Sequence, residues 1–101
     1  MNTKTSYELF GIECGPGWKC LIDPLIRRCR REGVEIHQVK EKFGGLRFYT
    51  GPASDSLLAA IDDAEDLSFY VCESCGAPGY PTTTGYGWIL TLCDTCEAIK
   101  E

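Results

Sequence analysis

Two Cys-x-x-Cys pairs, Cys72-Glu-Ser-Cys75 and Cys93-Asp-Thr-Cys96, carry the clearest chemistry in the chain. Seventeen residues separate Cys75 from Cys93, a spacing suited to a structural zinc site. Each Cys-x-x-Cys turn delivers two sulfurs to one side of a metal, and two turns complete a tetrahedral shell around Zn2+. A closed shell leaves no position for a reactive water, so the expected role of Cys72, Cys75, Cys93 and Cys96 is structural. The competing readings of four such cysteines are a pair of disulfides or free thiols.

The residues around the pairs supply the elements that would position them. Gly76 follows the first pair, where a residue without Cβ lets the chain turn back around the metal. The stretch from 77 to 87 is rich in Gly, Pro and Thr and reads as a hairpin connection. Trp88-Ile-Leu-Thr-Leu-Cys93 reads as a short strand running into the second pair. After Cys96, Glu97-Ala-Ile-Lys-Glu101 is compatible with a helical turn. Knuckle, hairpin and short helix together describe a treble-clef or zinc-ribbon-like module.

At 101 residues the chain suits a single domain, with an α/β part at 14–68 and a zinc-binding module at 69–101. An apolar share of 44% and a charged share of 25% are those of a soluble globular protein. No apolar run approaches the ~18 residues of a membrane span, and no hydrophobic segment follows Met-Asn-Thr-Lys-Thr-Ser at the start. The expectation is a cytoplasmic protein with no membrane partner. Charge divides unevenly: residues 1–50 carry nine Lys or Arg against six acids, and residues 51–101 carry one Lys against nine acids. An anionic C-terminal half repels a phosphate backbone and suits a basic protein surface. It equally serves to keep a small domain dissolved.

Trp18, Leu21, Ile22, Leu25, Ile26 and Cys29 recur at helical spacing after the break Gly15-Pro16-Gly17, and Gly33 ends the run. Pro24 sits within it, so either the helix starts at Asp23 or a longer helix kinks. Arg27, Arg28, Arg30 and Arg31 decorate its outer side as a solvated basic face or a docking site for an anionic partner. Residues 34–41 and 46–50 read as two strands around Phe43-Gly44-Gly45, with an irregularity expected because Ile36 and Val39 differ in parity. Ser54 caps a second helix to about Leu67, with Leu57, Leu58, Ile61, Ala64 and Leu67 or Ser68 inward and Asp62, Asp63, Glu65 and Asp66 outward. Ser68-Phe-Tyr-Val71 reads as a strand that joins the zinc module to the same sheet, and residues 7–14 should lie against the core.

Lys40, Lys42 and Arg47 alternate with Phe43, Phe48 and Tyr49, which gives a nucleic-acid-binding strand its basic and stacking residues. The order of glycines and aromatics departs from the RNA-recognition signature. The single histidine, His37, would have to serve any Cys-His nucleophile built on Cys14, Cys20 or Cys29. Cys29 lies on the apolar helix face and reads as core. A hydrolytic metal site of the His-rich kind needs histidines near the metal, and residues 72–96 contain none. The chain therefore reads as a binding protein and not an enzyme.

The segments Gly15-Pro-Gly-Trp18, Gln38-Val-Lys-Glu-Lys-Phe-Gly-Gly-Leu-Arg-Phe-Tyr49, Cys72-Glu-Ser-Cys-Gly-Ala-Pro-Gly79 and Gly87-Trp-Ile-Leu-Thr-Leu-Cys-Asp94 together resemble a group of small, largely uncharacterised phage and prophage zinc-binding proteins. The resemblance spans most of residues 14–98. Relatives often end the second knuckle with His, where this chain has Cys96, which changes the ligand and keeps the site. The resemblance implies a zinc-binding fold and a phage-type protein in the host cytoplasm; it implies no reaction. The resulting expectation is an α+β domain of two helices, a small antiparallel sheet and the zinc module, which binds and modulates a host protein. The alternative is a nucleic-acid-binding regulator using the basic N-terminal half.

Overall fold

The computed structural model describes residues 12–83 and 87–100 of the chain. Its architecture is α+β, with helices set against two small antiparallel sheets. Residues 7–11, expected to cover the core, lie outside the described residues, whereas Ile12 and Cys14 do pack on it.

A 3-10 turn at Pro16–Trp18 leads directly into helix α1, Lys19–Glu32. The longer of the two helices read from the sequence is the one formed. Pro24 stays inside α1 because it lies near the N-terminus on the exposed side, where its missing N–H leaves only the Cys20 carbonyl without an intrahelical donor. Trp18, Ile22, Leu25, Ile26 and Cys29 are buried, as their spacing requires. Gly33 closes the helix in the left-handed conformation at φ 69°, with Val34 N–H returning to the Cys29 carbonyl.

Strands β1, Ile36–Lys42, and β2, Gly45–Thr50, form an antiparallel ribbon. The expected irregularity falls between Ile36 and Gln38. Val39, Leu46 and Phe48 turn one face of the ribbon into the core. The turn is made by Phe43 and Gly44, both at positive φ, so Gly45 already belongs to β2. Glu13 bridges the other edge of β1 in parallel, through Glu13 N–H to Val39 O and Glu41 N–H to Glu13 O.

Helix α2, Asp55–Leu67, begins at Ser54, whose Oγ accepts the Leu57 N–H at 3.2 Å. Ser54 in turn donates to Glu32 at 2.9 Å, and Glu32 accepts from Arg28 at 2.7 Å, so one carboxylate ties the end of α1 to the start of α2. Leu57, Ile61, Ala64 and Ser68 form the buried stripe. Leu58, expected in that stripe, is 45% exposed; of the two candidates for its last position, Ser68 is buried and Leu67 is 53% exposed. The stripe runs at i, i+4, i+7 and i+11, which leaves both leucines at its margin.

Residues 68–71 do not form a strand. Ser68–Tyr70 is a 3-10 turn continuing α2, and Val71 makes a single bridge to Pro78. The cause is Ser68: its Oγ donates back to the Glu65 carbonyl at 2.5 Å and accepts the Leu46 N–H at 2.9 Å, which holds the chain in a helical turn. The hairpin of the cysteine module, β3 (Tyr80–Thr83) and β4 (Ile89–Leu92), is consequently a separate two-stranded sheet and not an extension of the first. Helix α3, Asp94–Lys100, starts before Cys96 rather than after it.

Candidate metal centre

The first knuckle is a tight turn. Cys72 N–H bonds the Ala77 carbonyl at 2.8 Å, and Gly76 N–H bonds the Cys72 carbonyl at 2.9 Å. Gly76 has φ 85°, which places it where a Cβ is disfavoured. The second pair straddles the junction of β4 and α3: Cys93 directly follows the strand, Glu97 N–H bonds its carbonyl at 2.9 Å, and Cys96 lies in the first turn of α3. Glu73 N–H bonds the Thr91 carbonyl at 2.9 Å and so lays the first knuckle beside β4. On the far side of the module, Tyr80 donates its hydroxyl to Asp94 and Thr82 donates to Glu97 at 3.1 Å, which fixes β3 to α3.

These contacts bring the Sγ atoms of Cys72, Cys75, Cys93 and Cys96 within 4.8 Å of one another. Cys75 Sγ and Cys93 Sγ, from different pairs, are 3.6 Å apart. A zinc–sulfur bond of about 2.3 Å implies a tetrahedral edge of about 3.8 Å; the Cys75–Cys93 pair stands near that edge, and the whole set lies close enough to converge on one ion. All seven cysteines are free thiols. The cluster is a metal-binding site by geometry and donor set.

Its electrostatics favour one thiolate before metal arrives. Burial acts to raise the Cys72 thiol, but backbone N–H groups of Cys93, Cys75 and Ser74 outweigh it and bring it down to about 6. At Cys75 the Ala77 N–H favours the thiolate, yet the neighbouring Cys72 and Cys93 sulfurs prevail and hold the thiol above its usual range. Hydrogen bonding with Cys93 and then Cys75, followed by burial, pushes Cys96 up to about 12.

The N-terminal Gly-Pro-Gly-Trp segment grips this module. Gly17 N–H bonds the Glu73 carbonyl at 2.6 Å, Gly15 N–H bonds the Glu73 carboxylate at 2.8 Å, and Trp18 Nε1–H bonds the Val71 carbonyl at 2.8 Å. A Cβ on Gly17 would collide with the Cys72 and Glu73 carbonyl oxygens. Sequence reading treated this segment as a helix breaker; two glycines flanking Pro before a buried Trp are the signal of a close backbone approach.

The remaining candidate residues are not drawn into one place. Among the described residues no other group of three or more His, Cys, Asp or Glu side chains comes together, so Cys14, Cys20, Cys29 and His37 form no second metal site. Cys29 is core, its thiol raised by burial and then by Glu32. Cys14 is pushed up to about 12 by burial and by Glu73 and Glu41. His37 faces Glu35 at 3.3 Å. Arg27, Arg30 and Arg31 are exposed on α1, while Arg28 is half-buried against Glu32 and Ser56. Asp62, Asp63 and Asp66 are exposed on α2, but Glu65 is half-buried and accepts the Phe48 N–H at 2.9 Å. Lys40 stands opposite Arg47, and Lys42 shares their face of the ribbon. No described helix is long and apolar enough to cross a membrane.

Comparison with protein-family models, curated proteins and solved structures gives no match.

Proposed function

We propose that the chain is a zinc-built, non-enzymatic binding protein that engages and modulates a protein of its host cell. The observation that carries the metal assignment is the convergence of four sulfurs from two Cys-x-x-Cys turns to within 4.8 Å of one another. Four thiolates fill the shell of zinc and leave no site for an activated water, which supports a structural role. The elevated thiols of Cys14 and Cys29 make those two cysteines poor nucleophiles. The phage-type resemblance and the acidic C-terminal half point to a host protein as partner.

Elemental analysis of the purified protein tests the metal. About one zinc per chain, lost in Cys75→Ser and Cys93→Ser, is the expected result. A red iron-loaded protein would change the metal, because four sulfurs also suit iron; a folded, metal-free protein would remove the site. Affinity capture from host lysate, with nuclease treatment, tests the partner. A nuclease-resistant host protein is expected.

A second reading, nucleic-acid binding, draws on the placement of Lys40 opposite Arg47 with Lys42 on the same face. It requires affinity for DNA or RNA that falls steeply with salt, and no binding at low salt ends it.

A further inference from the structure

The β1–β2 turn and the residues entering β4 line a half-open cavity of about 540 Å³, formed by Glu41, Lys42, Phe43, Gly87, Trp88 and Ile89. Phe43 and Trp88 are each 67% exposed, so neither ring serves the core. Phe43 holds φ 54°, a left-handed conformation that a glycine would adopt without strain. The fold gains nothing from an exposed aromatic at a strained turn position, and such outliers gather where surfaces are used.

The walls come from both parts of the molecule. Thr91 Oγ1, buried on β4, donates to the Gly44 carbonyl at 2.6 Å, and a Cβ on Gly44 would stand 3.1 Å from Ile89. The turn therefore rests directly on β4, with Phe43 on one side of the seam and Trp88 on the other. Charge at the rim is also specific. The Glu41 carboxylate accepts the Gly44 N–H at 2.8 Å and is engaged in the turn. The Lys42 ammonium lies 5.7 Å from the centre of the Phe43 ring. Lys40 and Arg47 continue the cationic face beyond Lys42.

We infer that this cavity receives an acidic segment of a protein partner, with one bulky apolar side chain entering between Phe43 and Trp88 and a flanking carboxylate meeting Lys42. The inference rests on the partner-binding reading but places the contact on the cationic ribbon face, with the acidic C-terminal half left to face a basic part of the same partner. An apolar hollow of this volume has room for one bulky side chain together with its flanking residues, Lys42 with Lys40 and Arg47 beyond it offers an acidic neighbour its counter-charge, and the exposed rings supply anchor area with few rotatable bonds. Ile89 makes an aliphatic wall, which fits a side chain better than a stacked base. Because Trp88 and Ile89 belong to the cysteine module, the cavity should be lost where zinc removal unfolds that module.

The test is to pan a displayed random-peptide library on the zinc-loaded full chain and remeasure the winners as synthetic peptides by fluorescence polarisation, with an oligothymidylate in parallel. Winners should combine Asp or Glu with Trp, Phe or Leu. Their affinity should fall about tenfold or more in Phe43→Gly, Trp88→Ala and Lys42→Glu, and on zinc removal. Phe43→Gly relaxes the turn, so circular dichroism and zinc content should remain those of the parent. No enrichment, winners indifferent to Phe43→Gly and Trp88→Ala, or an oligothymidylate bound more tightly than any peptide through those two rings would each overturn the inference. If a captured host protein is retained by both variants, partner binding stands and the cavity is not its site. If peptides bind as expected but no host protein is captured, the cavity stands and the cellular reading falls.

Discussion

Trp18, fully buried in the core, donates its indole N–H to the Val71 carbonyl at 2.8 Å, one residue before the first metal ligand. The largest core side chain and the first knuckle are thus one mechanical unit. Trp18→Phe keeps an aromatic in the core but leaves the Val71 carbonyl without its donor. We expect a loss of about 1–3 kcal/mol in urea unfolding, accompanied by weaker zinc retention against a chromophoric chelator. Unchanged zinc retention in a destabilised variant would separate the two units.

Two glycines on either side of α1 make a controlled comparison. Gly17→Ala forces a methyl group into the Cys72 and Glu73 carbonyls and should cost about 1–3 kcal/mol while loosening the metal. Gly33→Ala meets no atom within 4 Å and suffers only its positive φ, about 1 kcal/mol, with zinc affinity intact. Denaturation midpoints with parallel zinc titrations read both. Equal effects on zinc would argue against the clamp.

Ser68 is fully buried and serves two backbone partners. Ser68→Ala strands the Leu46 N–H and should cost about 1–3 kcal/mol by thermal or chemical unfolding. Ser68→Thr keeps the hydroxyl and should recover part of that loss.

Metal affinity should rise with pH. Cys72 ionises first, at about 6, whereas Cys75 and Cys96 hold their protons above the ordinary thiol range. Those protons must leave when thiolates bind, so protonation competes with metal and lowering the pH from about 8 to 6 should weaken binding, roughly tenfold per pH unit for each proton displaced. Calorimetry in buffers of different ionisation enthalpy counts the protons. Binding without proton release would mean the thiols are already ionised.

The elements whose sequence periodicity is long were legible before the structure. Trp18 to Cys29 and Leu57 to Ser68 each repeat an apolar stripe over several turns, and Ser54 and Gly33 mark ends that caps enforce. The four metal-cluster cysteines were legible for a different reason, since their spacing encodes ligand geometry without reference to the rest of the chain. What escaped were relationships made by single contacts at long range. Ser68 converts an apparent strand into a helical turn through a bond to Leu46, 22 residues away. Trp18 reaches Val71 across 53 positions. Phe43 takes a left-handed position that the neighbouring Gly-Gly pair seemed to reserve for glycine. No local pattern announces such choices, because the partner that decides them is elsewhere in the sequence.

Both flanks of the β1–β2 ribbon are occupied near their middles: Glu13 covers β1 at Val39 and Glu41, while Ser68 and Glu65 consume the outward N–H groups of Leu46 and Phe48 on β2. A ribbon with filled margins offers no main-chain ladder for another strand to extend. Strand addition there, by a copy of the chain or by an extended peptide, would have to displace Glu13 from β1 or the Ser68 and Glu65 side chains from β2. Recognition through this stretch of the ribbon is then written in side chains, which leaves its selectivity open to change by point substitution while the backbone that carries it stays covered at those positions.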